Sequence, residues 1–276
     1  MRIPFRKMHG LGNDFMVIDA RAHPVSLGAK RIRELAERRT GVGFDQLLVL
    51  EPARDATALA AYRVFNADGS EVEQCGNGVR CLARLVAVSE GLVGEEFVLQ
   101  GPATEVVARM HPDALVTVGM GEPGFDPAAL PFEADAQADR YALELGSEVV
   151  QIGAVSMGNP HAVLLCADTL STPVSYLGAE ISGHPRFPRE TNVEFMQIKD
   201  RQHICLRVYE RGVGETRACG SGACAAVAMG RRWGSLDDTV EVTLPGGKLT
   251  VEWPGPGHTL WLTGPAEDVF GGQIEL

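Results

Sequence analysis

One device is written twice in this chain. Glu73 to Ala83 reads EQCGNGVRCLA and Glu215 to Val227 reads ETRACGSGACAAV, each with a cysteine directly before Gly-x-Gly and a helix-like pattern after it. Phe65-Asn66 lies ten residues before Cys75 and Tyr209-Glu210 ten before Cys219, so the copies stand at a constant shift of 144. A weaker echo links GNDF at Gly12 to GNPH at Gly158. In a chain of 276 residues, a repeat of about half the length implies two related domains facing each other rather than a solenoid of short units.

The rest of the pattern supports that division. Short strand-like runs fill both halves: FMVIDA, QLLVL, AYRVFNA, EFVLQG, TEVVARM and LVTVGM, then YALELG, VVQIGAVSM, AVLLCA, NVEFMQI and HICLRVY. TVEVTLPGGKLTVEW reads as a hairpin turned at Pro245-Gly246-Gly247. Helical periodicity is clear in three places. SLGAKRIRELAERRTG has Ser26 as an N-cap, Ile32, Leu35 and Ala36 on one face, and Gly41 as a stop. After Cys75, the positions Val79, Leu82, Ala83 and Val86 recur at i, i+3, i+4 and i+7, with Gly91 closing the run. Ala223, Ala226, Val227 and Gly230 repeat this after Cys219, closed by Gly234, and their small size points to a central helix packed on all sides. Gly121 to Pro131 is the best linker. The C-terminal LWLTGPAEDVFGGQIEL has no clear assignment and could return to the first domain.

Composition narrows the function classes. Apolar content of 45% and charged content of 22% are those of a globular protein. A formal charge of −11 argues against nucleic acid, whose phosphates need clustered cations. Apolar runs such as AVLLCA fall far short of the roughly 20 residues that span a bilayer, so no membrane partner is expected. The opening MRIPFRKMHGLGNDF lacks the apolar stretch of a signal peptide, so the expectation is a cytoplasmic protein with reduced thiols. Cys166 and Cys205, inside apolar runs, read as small buried hydrophobes.

A single Cys-Gly-x-Gly is most simply a tight turn with a buried thiol. The spacings Cys75–Cys81 and Cys219–Cys224 fit a zinc site poorly, and Cys81 and Cys224 fall within the helical patterns as packing residues. No lysine follows the glycines as in a phosphate loop, and no C-x-x-C redox pair is present. A cysteine at a helix N-terminus, by contrast, is expected to have its pKa lowered from about 8.5. The glycines after it let N–H groups approach an anion. Two such devices, facing each other, hold one α-carboxylate with a sulfur on each face of the α-carbon. That is the arrangement for stereoinversion by two bases: one thiolate removes the α-proton and the opposite thiol returns one. Proton transfer contributes roughly 10²–10⁴-fold, so the helix-terminal N–H groups must also stabilise the developing enediolate.

At these residues the sequence resembles the diaminopimelate epimerases. KMHGLGNDFMVID, GVGFDQLL, FNADGSEVEQCGNGVRC, SMGNPHAV, FPRETNVEFM and VYERGVGETRACGSGACAAV match in order along nearly the whole chain. The resemblance implies a cofactor-independent conversion of LL- to meso-diaminopimelate in lysine and peptidoglycan precursor biosynthesis, with no metal. It implies Cys75 and Cys219 as the bases, Cys75 the donor and Cys219 the acceptor in one direction. It further implies substrate binding by Asn13, Gln46, Asn66, Gly76, Asn77, Asn159, Asn192, Glu210, Arg211, Gly220 and Ser221, with His161 and Glu210 tuning the cysteines. The amides suit a zwitterion, and Arg211 can grip the distal carboxylate. The implied fold is α+β (mixed α/β): two pseudo-symmetric domains, each a curved sheet around a central helix. The expected boundaries are 1–120 plus 264–276 for the domain carrying Cys75, and 121–263 for the domain carrying Cys219. A homodimer is implied too, with Phe270 standing where the family often has a tyrosine at the dimer contact.

The nearest alternative is a proline racemase or hydroxyproline epimerase, which pairs two thiols but takes a cyclic imino acid. Arg211 and the asparagines favour the longer, doubly zwitterionic substrate. A thiol redox or zinc-binding protein is the reading from another class.

Overall fold

Leucine, valine and isoleucine in short runs bounded by Gly, Asp and Asn make strand the commonest regular element of this chain. A computed structural model describes residues 2–72, 76–146 and 148–275. Contacts divide the chain into one unit of Met1–Gly119 with Thr263–Leu276, and another of Met120–Leu262. The class is mixed α/β, with four α-helices named among the described residues.

The first unit contains β1 (Arg2–Gly10), β2 (Asn13–Asp19), α1 (Ala29–Ala36), β3 (Gln46–Glu51), β4 (Ala60–Asn66), β5 (Glu71–Val72), α2 (Gly76–Glu90), β6 (Glu96–Gln100), β7 (Glu105–Met110) and β8 (Val116–Gly119). β1 and β2 are antiparallel, β2 and β3 parallel, and β3 and β4 antiparallel. β5 and β6 then share the far edge of β4: β5 pairs antiparallel with Val64-Phe65, β6 parallel with Ala60-Ala61. β7 and β8 continue antiparallel.

The second unit repeats this order. It contains β9 (Tyr141–Leu145), β10 (Glu148–Ser156), β11 (Pro160–Leu165), α3 (Val174–Ser182), β12 (Asn192–Asp200), β13 (His203–Glu210), β14 (Gly214–Thr216), α4 (Gly220–Arg232), β15 (Thr239–Leu244) and β16 (Gly247–Glu252). β10 and β11 are antiparallel, β11 and β12 parallel, and β12 and β13 antiparallel. β14 and β15 share the far edge of β13, one antiparallel and the other parallel, and β16 follows antiparallel. The repeat therefore extends from the cysteine device to the strand pairing. β17 (Trp261–Gly264) spans the boundary at Leu262, and β18 (Glu267–Glu275) pairs antiparallel with β1.

Each unit has one helix that its sheet curls around. α2 packs against β1, β2 and β3 and also against β7 and β8, so both ends of the strand order reach it. α4 likewise packs against β10, β11, β12, β13 and β16. In α4 every residue from Gly222 to Gly230 is buried, as the all-small pattern predicts for a central helix. α1 lies elsewhere, with Ile32, Leu35 and Ala36 closing over Ile3, Met16, Ile18, Leu47 and Ile274.

Local details depart from the sequence reading in three places. The helix cap is Gly28 rather than Ser26; its carbonyl accepts from the N–H groups of Arg31 and Ile32 at 2.9 and 3.1 Å. Val25 and Leu27 pack on the α1 core and leave Ser26 exposed, which moves the helix start downstream. Gly41 stops no helix directly, because α1 ends at Ala36. Its role is close approach: a Cβ there would lie 2.3 Å from the Glu34 carbonyl oxygen. Cys166 and Cys205 are half-buried rather than fully buried. The hairpin of β15 and β16 turns as expected, with Leu244 opposite Gly247. No helix among the described residues is long and apolar enough to cross a membrane.

Candidate active site

The topology gathers the polar residues of each unit at one end of its sheet. Parallel β2 and β3 both start at this end, with Asn13 and Gln46, and antiparallel β4 finishes there with Asn66. In the second unit, Asn159 precedes β11, Asn192 starts β12, and Glu210 ends β13. Gly12 and Gly158, the residues of the weaker echo, both adopt left-handed backbone (φ 87° and 91°), so each asparagine follows the same tight turn. The crossover helices α2 and α4 begin at this same end of β4 and β13, after β5 and β14.

In the second unit Cys219 is the N-cap residue of α4, buried, with its Sγ 3.5 Å from the Ser221 hydroxyl. The next glycines admit neighbours that a side chain would exclude. A Cβ on Gly222 would stand 2.9 Å from Glu194 Oε1 and 3.3 Å from the Cβ of Cys219. His161 is fully buried between two partners: Nδ1 lies 2.7 Å from Glu194 Oε1 and Nε2 lies 3.0 Å from Asn159 Oδ1. Asn192 Oδ1 accepts from the Arg211 N–H at 3.0 Å, and its Nδ2 donates to the Pro160 carbonyl. The Glu210 carboxylate accepts from Thr216 Oγ1. Arg211 is exposed and donates to the Arg189 carbonyl at 3.0 Å.

The electrostatics reverse one expectation. A helix N-terminus alone favours thiolate, yet the thiol of Cys219 is pushed well above its ordinary range. Burial is the largest cause, and the carboxylates of Glu210 and Glu194 add to it. Hydrogen bonds from Ser221 and from the Gly222 N–H oppose them without prevailing. The balance of these groups favours the thiol over the thiolate at Cys219. The carboxyl of Glu194 is also pushed up, by burial first, with His161 pulling it down and Glu210 adding to the rise.

In the first unit, Gln46 Nε2 donates to Asn66 Oδ1 at 3.0 Å, and Asn66 Nδ2 donates to Ser70 Oγ at 3.2 Å. Asn77, in the first turn of α2, donates through Nδ2 to Asn13 Oδ1 at 3.3 Å, and Asn13 Nδ2 donates to Asp45 at 2.9 Å. Arg80 is fully buried; it donates to Asn77 Oδ1 at 3.0 Å and to the carbonyls of Gly76 and Pro265. It thus fixes which way the Asn77 amide points. Cys75 lies outside the described residues.

The family model described as diaminopimelate epimerase matches residues 5–125 and 153–269, both copies of the device included. The chain belongs to the diaminopimelate epimerase family. A relative in Alkalilimnicola ehrlichii named diaminopimelate epimerase is 52% identical over 279 residues, covering 100% of both chains. Among solved structures, a hydroxyproline epimerase from Agrobacterium vitis with bound trans-4-hydroxy-L-proline is similar with TM-score 0.71 at 18% identity, over 99% of this chain and 92% of that one. A PhzF-family phenazine biosynthesis protein from Bacillus anthracis is similar with TM-score 0.67 at 14% identity over 100% of both. At these identities the two structures speak for the fold alone.

Within this epimerase-family chain, the sequence pointed to the residues of each unit's polar end but missed the side chains that hold them. Glu194 was not singled out, although an acid in NVEFMQI was visible. β12 is buried on both faces from Asn192 to Met196, so no alternation marks Glu194 as facing inward. Arg80 lies beside the apolar face of GVRCLARL, where a cation reads as a helix-surface residue, yet it is fully buried. Asp45 lies in a loop and bears on Asn13 only through tertiary contact.

Proposed function

We propose that this protein epimerises one α-carbon of LL-2,6-diaminopimelate to give the meso isomer, with Cys75 and Cys219 as the two bases and no cofactor. It acts on amino acids as an isomerase and supplies lysine and peptidoglycan precursor synthesis. The observation that carries the reading is Cys219 at the head of α4, a buried thiol at the end of the sheet where Asn159, Asn192 and Glu210 lie. The second Cys-Gly-x-Gly stands 144 residues earlier in a chain of this family.

In this mechanism one sulfur takes the α-proton while the other delivers a proton to the opposite face, and the roles exchange in the reverse direction. The surroundings of Cys219 favour a thiol there, which suits the delivering half. The N–H groups at the starts of α2 and α4 stabilise the negative charge that develops on the α-carboxylate. Asn13, Gln46, Asn66, Asn77, Asn159, Asn192 and Ser221 bind the zwitterion, and Arg211 takes the distal carboxylate. His161 and Glu210 tune the thiols.

The test is incubation with LL-diaminopimelate or L-proline in D₂O, followed by NMR. Deuterium should enter one α-carbon of diaminopimelate only, and Cys75→Ala and Cys219→Ala should each abolish turnover. Exchange into proline instead, or activity surviving in both variants, would overturn the reading.

We also infer a cytoplasmic homodimer that uses the β18 side of the first unit. Val269 and Phe270 are 56% and 48% exposed there, and Phe270 packs edge-on against Phe5 at 6.1 Å. Sedimentation of Phe270→Ala should show weaker self-association than the parent; identical behaviour at all concentrations would remove Phe270 from the contact.

A further inference from the structure

Glu194 is an acid with no exposed surface, and nothing in the assignments above gives it a task. One of its oxygens, Oε1, is placed tightly: 2.7 Å from His161 Nδ1, and so near α4 that a Cβ at position 222 would stand 2.9 Å from it. Its other oxygen, Oε2, is buried with no hydrogen-bond partner among the described residues. An isolated buried carboxylate is costly, and replacing it by an apolar residue is often neutral or stabilising. A carboxylate kept half-satisfied beside a reactive thiol points to a task in the chemistry.

The geometry defines that task. Asn159 Oδ1 can only accept, so the imidazole of His161 presents Nε2–H to it. The remaining ring nitrogen, Nδ1, then faces Oε1, and the two share one proton. Glu194 thereby sets the imidazole's orientation, and the imidazole sets the amide's. With its oxygen engaged, Asn159 has its Nδ2 donor left for a substrate carboxylate. The same carboxyl group lies across Gly222 from Cys219. The charged groups that bear on the thiol are Glu194 from β12 and Glu210 from β13, with His161 from β11 paired to Glu194.

We propose that Glu194 is a positioning residue of this active site: through His161 it aims the Asn159 amide at the substrate. The substrate half of this statement rests on the epimerase reading.

The closing experiment separates the two. Wild-type exchange of deuterium into diaminopimelate tests the epimerase reading by itself. Two further measurements need no substrate. In full-length protein carrying ¹⁵N-histidine, Nε2 of His161 should bear a hydrogen. In Glu194→Leu, which releases Nδ1, the ¹⁵N shifts of the His161 ring should move from a fixed Nε2–H form towards a mixture of tautomers.

In turnover, Glu194→Gln should keep KM near the parent value, because the amide still holds the imidazole. Glu194→Leu should raise KM severalfold, because it releases His161 and with it the Asn159 amide. A parent KM in Glu194→Leu would overturn the proposal. So would an Nε2 of His161 without hydrogen in the wild-type protein, a result that stands even if neither variant folds.

Discussion

Asp14 is held at the start of β2 by two cations at once. Arg38 grips both carboxylate oxygens at 2.9 Å, and Lys7 reaches it from β1. Burial pushes the carboxyl up, but the hydrogen bonds and charges of Arg38 and Lys7 outweigh it and bring the pKa to about 2. The sign follows from linkage. A carboxyl held below its unfolded value contributes stability above that value, near 4, and loses it as pH falls towards 2. The contribution at neutral pH is about 2 kcal/mol, from the 1.4 kcal/mol carried by each pKa unit. Asp14→Asn should therefore lower the unfolding free energy by about this amount at pH 7 and flatten its fall between pH 4 and 2. Urea titrations across that range measure both, and equal slopes for the two proteins would exclude the role. The cluster also bears on the site, since Asp45 bridges Arg38 and Asn13.

Elements with their own periodicity were legible in the sequence, and those that depend on a distant partner were not. All eleven strand-like runs correspond to strands, because apolar runs between Gly, Asp and Asn need no tertiary context to be read. α3 was passed over. VSYLGAEIS mixes two β-branched residues with serines and a glycine, a weak helix former in isolation. Its Gly178 is there for packing: a Cβ would lie 2.5 Å from the Tyr209 Cβ. β1 carries Pro4, a residue that argues against a strand. Pro4 falls in the stretch of β1 that pairs with β18 alone, where one edge needs no N–H donor. The site divides in the same way. Cys219, Asn159, Asn192 and Glu210 stand beside turns and element ends that the sequence marks. Glu194 and Arg80 matter only through what they touch, and burial, with the carboxylates of Glu210 and Glu194 behind it, reverses the thiol pKa that helix position alone predicts.

At the scale of the whole chain, the repeated half leaves its first unit with an open edge at β1, and the C-terminus closes it. β18 pairs with β1 from Arg2 to His9, with one irregularity at Lys7-Met8, and sends Ile274 into the core beneath α1. Gly272 allows this close approach, since a Cβ there would lie 2.6 Å from the Phe5 ring. Without β18, β1 keeps a ladder to β2 only from Arg6 to Gly10, and Ile3 and Phe5 lose the strand beside them. Strands paired on one side exchange their amide hydrogens through local opening well below the global unfolding free energy. Deleting residues 271–276 should therefore strip exchange protection from the amides of Ile3 and Phe5 and loosen α1. The β11, β12 and β13 amides, whose pairings lie wholly in the other unit, should keep theirs. Hydrogen exchange read by mass spectrometry resolves the two sets. Equal loss of protection in both units would mean that the C-terminal strand supports the fold as a whole rather than one half of the repeat.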